Sequence, residues 1–124
     1  QYERATDWMD GREYPKKVKN EPETANTFET NIGRTSAVGI FPDGESLERI
    51  YDLNGNVWEW CLNKYKYSED TSLHGSDVRI LRGGSWYNSR SSTFAIHRDF
   101  NFPSFRSYNF GFRVVASVAN TEQR

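Results

Sequence analysis

Residues 79–115, RILRGGSWYNSRSSTFAIHRDFNFPSFRSYNFGFRVV, limit the possible folds more than any other stretch. Arg79 to Trp86 reads as a strand that breaks at Gly83-Gly84, and Phe112 to Ala116 as a second strand, since Val114 and Val115 suit a pleated surface. Between them, Tyr87 to Phe110 has neither a helical nor an alternating apolar period. A chain built around such a segment must hold a long irregular excursion between two pieces of sheet.

The excursion is also unusual in composition. It holds five Phe, two Tyr, five Ser and three Asn, yet no Lys, Glu, Gln, Met or Trp, types that make up roughly a fifth of the remaining chain. Every residue from Tyr87 to Phe110 is encodable by a codon ending in a pyrimidine. Asn, Tyr, Ser, Phe, Thr, Ile, His and Asp all arise from an Asn codon when its two adenines change. A loop-rich domain that favours rings and small polar residues has the same composition, so composition alone leaves both explanations open.

DLNGNVWEW (52–60), RGGSW (82–86) and GFRVV (111–115), in this order and at these spacings, resemble the formylglycine-generating-enzyme/sulfatase-modifying-factor family. A looser match runs back through DGREYP (10–15). The resemblance implies an α+β, C-type-lectin-like fold of the formylglycine-generating-enzyme type, loop-rich with a small antiparallel sheet. Segment 87–110 further resembles the variable region of proteins diversified by retroelements on this fold, in which adenine-directed mutagenesis scatters Asn codons into this residue set. The resemblance also implies that residues 1–124 are the C-terminal part of one such domain. Its N-terminal part would be missing or supplied by an N-terminal fragment or a second chain.

Bulk properties bound the rest. A chain of 124 residues is at most one domain with a modest core. Sixteen basic against seventeen acidic residues give a net charge of −1. That balance argues against a nucleic-acid or membrane surface. No apolar run approaches the ~18 residues of a membrane span. Gln1 in place of Met suggests a fragment, and no signal peptide is visible. Cys61 is the only cysteine and no Asn-x-Ser/Thr sequon occurs, a mild pointer to a reducing, cytoplasmic setting. Hydrophobic content of 35% with 15% aromatics fits a core of a few large rings among many loops.

Along the chain, residues 1–9 read as one or two helical turns ended by Asp10-Gly11. Residues 12–36 read as a polar surface loop, pinned near Tyr14-Pro15 and Ala25-Asn26-Thr27. Residues 37–42 form a short apolar run stopped by Pro42. Asn56 to Trp60 reads as a strand, with Val57 and Glu59 on one face and Trp58 and Trp60 anchoring the core on the other. Residues 63–77 form a polar excursion before the strand at 78–82. Gly83-Gly84 is read as a bend packed against Trp86.

Chemistry is sparse. The family resemblance implies a structural calcium ion held by carbonyls near Asn56 and Val57 and by the Glu59 carboxylate, with a second site near Asn26 and Thr27. Mixed carbonyl and carboxylate ligation suits calcium; the alternative is that Glu59 makes a salt bridge. Formylglycine generation needs a cysteine pair near the final strand, and 94–115 contains none, so copper chemistry is not expected. Cys61 reads as a small buried thiol. His74 and His97 lie in polar stretches, and His97 reads as a surface contact rather than a metal ligand.

Tyr, Ser, Asn and Phe are the residues of binding loops, because rings give rigid contact area and short polar side chains adapt their hydrogen bonds. The candidate contact residues are Tyr87, Asn88, Ser89, Ser91, Thr93, Ile96, His97, Asp99, Phe100, Asn101, Phe102, Ser104, Phe105, Ser107, Tyr108, Asn109 and Phe110. Phe94 and Phe112 are assigned to the core. Arg98, Arg106, Arg113 and Pro103 are read as scaffold, the arginines donating to irregular backbone. The reading is a non-catalytic recognition domain, diversified by a retroelement, that binds a protein ligand through 87–110. The alternatives are an enzyme of the same family with an unrecognised site, and a structural half-domain completing another chain.

Overall fold

The computed structural model describes residues 24–94 and 96–116. The turns expected at 1–9 and the pin at Tyr14-Pro15 lie outside these residues. Four strands make one sheet: β1 (Trp58–Lys64), β2 (Arg79–Arg82), β3 (Arg98–Asn101) and β4 (Phe110–Gly111), in the order β3-β2-β1-β4.

β1 and β2 form where aromatic and branched side chains cluster. They pair antiparallel, with Trp60 opposite Leu81, and the register slips between Trp60 and Lys64. β2 pairs antiparallel with β3, Ile80 opposite Phe100. β4 lies parallel to β1, Trp58 opposite Phe110. The sheet is therefore mixed, not purely antiparallel. The reason is topological: β4 returns after the whole 87–110 excursion and enters beside β1 in the same direction. The strand expected at Phe112–Ala116 does not form, and β4 ends at Gly111. A strand that was not expected, β3, sits inside the excursion.

The apolar core of the described residues is small: Ala25, Leu53, Trp58, Ile80 and Leu81. Leu81 is fully buried at 0% exposure. Trp60 is only half-buried, so of the two tryptophans Trp58 is the anchor. Phe112 is not core; it is 74% exposed, because the chain leaves the sheet just before it. The run 37–42 is not buried either: Val38 and Ile40 are exposed on turns.

Polar side chains fill the space that apolar ones leave. Asn26 is fully enclosed and donates through Nδ2 to the Arg34 carbonyl at 2.9 Å and to Ser36 Oγ at 3.1 Å. Its carbonyl accepts from the Asn56 amide at 2.8 Å. The Gly55 amide reaches the Gly83 carbonyl at 2.8 Å. Gly55 has φ +74°, and a Cβ there would stand 2.3 Å from the Asn26 carbonyl oxygen, so no other residue fits. The expected pin at Ala25-Asn26-Thr27 is thus real, and all three residues are buried. Gly84 bends the chain after β2, but it packs on Thr93 rather than Trp86: a Cβ would meet Thr93 Cγ2 at 2.7 Å.

Candidate ligand-binding surface

The 87–110 excursion begins and ends at one polar clamp. Ser85 Oγ donates to Asn88 Oδ1 at 2.5 Å, and Trp58 Nε1 donates to the same oxygen at 2.8 Å. Asn109 Nδ2 donates to Ser85 Oγ at 3.0 Å, and Asn109 Oδ1 accepts from Ser107 Oγ at 2.7 Å. The Asn109 carbonyl takes the Trp58 amide, and the Asn88 carbonyl takes the Phe28 amide. Both ends of the excursion are therefore fixed to each other and to β1. Buried groups so fully paired hold a single geometry.

Between its ends the excursion is held by local devices. A 3-10 turn at Arg90–Thr93 is pressed on Gly84, and Thr93 Oγ1 donates to the Arg90 carbonyl at 2.7 Å. The Arg90 amide is held by the Glu29 carboxylate, both oxygens at 3.0 Å. Asp99 Oδ1 accepts from the Phe100 amide at 2.7 Å, and Asn101 Oδ1 from the Phe102 amide at 2.9 Å. Arg106 donates to the carbonyls of Pro103 and Phe105, and Arg113 to those of Tyr51 and Asp52, which is scaffold work. Arg98 differs: its guanidinium lies 5.4 Å above the Tyr65 ring.

The structure sorts the candidate contact residues. Tyr87, Ser89, Ser91, Ile96, His97, Phe100, Phe102, Ser104, Phe105 and Tyr108 face outward. Asn88, Asp99, Asn101, Ser107 and Phe110 are half-buried. Thr93 and Asn109 are not contact residues. Thr93 is 0% exposed under Gly84, and Asn109 is 8% exposed inside the clamp. Asn88 gives its side chain to the clamp as well. Phe94, assigned to the core, is half-buried.

The outward rings gather in groups. Trp86, Tyr87 and Tyr108 lie with centroids 5.7 to 6.3 Å apart. Phe110 contacts Trp60 at 5.7 Å and Phe105 at 5.6 Å, beside an open cleft of about 500 Å³ that Cys61 also lines. Phe100 stacks on Tyr65 at 4.2 Å. Composition signalled rings at a surface but had no means of grouping them. Trp86 and Trp60 were missed because they lie outside the biased segment.

Several of the oxygens that the implied calcium would use already hold hydrogen bonds within the chain. Both Glu59 oxygens are taken by Arg113, Oε2 from Nε at 2.7 Å and Oε1 from Nη2. The Asn56 carbonyl already accepts from the Trp86 amide, and the Val57 side chain sits over Gly111. Burial pushes the Glu59 carboxyl above its ordinary pKa while Arg113 opposes that rise. At the second site the Asn26 carbonyl is occupied by Asn56, and the Thr27 carbonyl by Thr30. In this structure the Arg113 guanidinium balances the Glu59 charge.

Cys61 is half-buried, and burial pushes its thiol pKa up although Arg82 works against the rise. A protonated thiol is a poor nucleophile and a poor metal ligand. His74 is exposed, and the exposed His97 ring lies 5.9 Å from that of Trp58. Among the described residues no three His, Cys, Asp or Glu side chains are grouped to hold a metal. No described helix is long and apolar enough to cross a membrane.

The sulfatase-modifying factor enzyme 1-like domain matches residues 2–118 of this chain. Serine/threonine-protein kinase Pkn1 of Chlamydia trachomatis serovar L2 is 30% identical over 118 residues, covering 87% of this chain and 18% of that protein. Inactive C-alpha-formylglycine-generating enzyme 2 of Mus musculus is 35% identical over 94 residues, covering 71% of this chain and 28% of that protein. The chain thus spans less than a third of the length of either relative. Among solved structures, Treponema denticola variable protein 1 superposes with a TM-score of 0.71 and 25% identity, over 90% of this chain and 43% of that one. The mixed sheet, the scarcity of helix among the described residues and this superposition establish the α+β, C-type-lectin-like fold. With its domain match and its relatives agreeing, the chain belongs to the formylglycine-generating-enzyme/sulfatase-modifying-factor family.

Proposed function

We propose that this domain recognises a protein ligand without catalysing a reaction, and that its contact surface, 87–110, has been diversified by a retroelement. One observation carries the reading. The segment whose residue set adenine changes can generate is the segment most of whose rings turn outward from a clamped base, Tyr87 at 57% and Tyr108 at 69% exposure. Exposed rigid rings beside short polar side chains are what a docking surface uses. The likeness to a variable protein and to an inactive family member supports it.

The test is genomic and biochemical. Sequencing the locus is expected to reveal a near-identical template copy beside a reverse transcriptase, differing only at adenines. Replacing Phe100, Phe102 and Phe105 with Ala is expected to abolish partner capture while leaving the unfolding midpoint in place. A locus without a template refutes diversification, and partner capture insensitive to all three changes refutes the surface.

A second reading has its own observation. Phe112, Val114 and Val115 are exposed in sequence, the last two at 84% and 82%. Such an apolar strip fits an N-terminal fragment or a second chain that completes the domain. Mixing with an upstream fragment of the family domain is expected to protect the 112–115 amides from hydrogen exchange. Unchanged exchange there counts against it.

A further inference from the structure

We infer that Asp99 and Asn101 close the free edge of β3 to strand addition, so that the rings on this strand meet other chains through side chains alone. The inference rests on the pairing of β2 with β3 and stands whether or not 87–110 is diversified. β3 ends the strand order β3-β2-β1-β4, so one of its edges has no strand beside it among the described residues. An edge of that kind is a template on which another chain can pair. Exposed apolar side chains beside it add to the hazard, and here Phe100 is 46% exposed and Phe102 60%.

The backbone shows how the hazard is met. In an antiparallel pair, alternate residues turn their N–H and C=O toward the partner strand or away from it. The Phe100 amide donates to Asp99 Oδ1 at 2.7 Å, and the Phe102 amide to Asn101 Oδ1 at 2.9 Å. Phe100 and Phe102 are two residues apart, so their amides point the same way, and neither is spent on β2. The alternate residues Asp99 and Asn101 stand opposite Leu81 and Arg79 and are the ones placed to carry the ladder bonds. The donors that an added strand would need are therefore already taken, each by the side chain of the residue before it.

The side-chain alternation of a strand makes the device compatible with an outward ring. Asp99 and Asn101 leave one face of β3, and Phe100 leaves the other, where it stacks on Tyr65 at 4.2 Å. The capping oxygens and the ring do not compete for space. Pro103 follows Phe102, and a residue without an N–H cannot lengthen the row of donors. A chain that approaches this edge finds the rings on offer and the amides occupied.

The experiment measures the mass of the whole chain by light scattering over a range of concentrations, together with amide hydrogen exchange by NMR. The double variant Asp99→Ala/Asn101→Ala is expected to reach about 1.5-fold or more the mean mass of the unsubstituted chain, as pairing of edges into dimers requires. Its Phe100 and Phe102 amides are expected to exchange more slowly as the concentration rises. Asp99→Asn removes the charge and keeps the acceptor, so it is expected to match the unsubstituted chain. Unchanged mass in the double variant, equal association of Asp99→Asn, or added mass without slower exchange at those two amides overturns the inference. If the double variant does not fold, the unsubstituted chain decides. Its Phe100 and Phe102 amides are expected to exchange about threefold or more slowly than those of an unstructured peptide of residues 96–105, as a hydrogen bond of ordinary strength gives. Exchange at the peptide's rate overturns the inference. None of these measurements needs a partner, so their failure leaves the contact surface itself standing.

Discussion

Replacing Asn109 with Ala removes a donor to Ser85 and an acceptor for Ser107 from a place with little access to water. Partners left unpaired in such a place cost roughly 1–3 kcal/mol, so Asn109→Ala is expected to lower the free energy of unfolding by about that much in urea titrations. Its exposed neighbour behaves differently: Tyr108→Ala is expected to stay within ~0.5 kcal/mol. The same contrast governs natural variation. Asn88, Thr93 and Asn109 are expected to stay fixed among sister copies of the gene while Tyr87 and Tyr108 change, which sequencing of a population checks. Arg113 is the second residue of this kind. Arg113→Met strands the Glu59 carboxylate, 8% exposed, without its counter-ion. Arg113 is itself about a third exposed, so the expected loss at pH 7 is ~2–3 kcal/mol, the lower end for a broken buried pair. The sign with pH follows from Glu59, whose folded pKa is already raised by burial and rises further without Arg113. The stranded group binds a proton more tightly folded than unfolded. The variant's deficit therefore shrinks as pH falls through that raised pKa toward the ordinary carboxylate value. Urea titrations at pH 7 and pH 5 read this directly.

β2 is buried along its whole length, and Leu81 at its centre touches no water. Leu81→Ala is expected to cost about 2–5 kcal/mol through lost contact and a cavity. Gly55→Ala is expected to be comparably damaging, because a positive φ and a carbonyl at 2.3 Å leave no room. A lowered thermal midpoint by circular dichroism checks both. At this scale the sequence was partly legible. β1 and β2 were readable from branched and aromatic runs, and the bend at Gly83-Gly84 from the glycines. β3, with the sequence RDFN, carries no apolar alternation, and only its long-range pairing with β2 makes it a strand. The apolar run GFRVV suggested a strand where the chain in fact departs from the sheet. Val114 and Val115 have the intrinsic preference but no described neighbour to pair with. In the candidate surface, residue type marked a segment that carries many of the exposed rings. It could not separate an Asn that faces water from one that closes the clamp, because both kinds are chemically the same.

At the level of the whole molecule, polar side chains and crossed backbone bonds among the described residues carry much of what a larger apolar core would supply. Calcium is expected to add little, since Arg113, Trp86, Asn56 and Thr30 already occupy the oxygens it would use. Thermal melts with added calcium and with a chelator are expected to coincide, and a midpoint rising with calcium refutes this account. The parallel return of β4 beside β1 means that the excursion leaves and re-enters the sheet at neighbouring points. What hangs from those points is mechanically a closed ring. Its outward beads on either side of β3 can be exchanged while the string is tied at the same knot, but β3 ties the ring to β2 a second time, and a change at Phe100 reaches the sheet there. On the proposed reading, novelty in such a molecule accumulates in the ring, and wear from mutation is expected to show first at the knot.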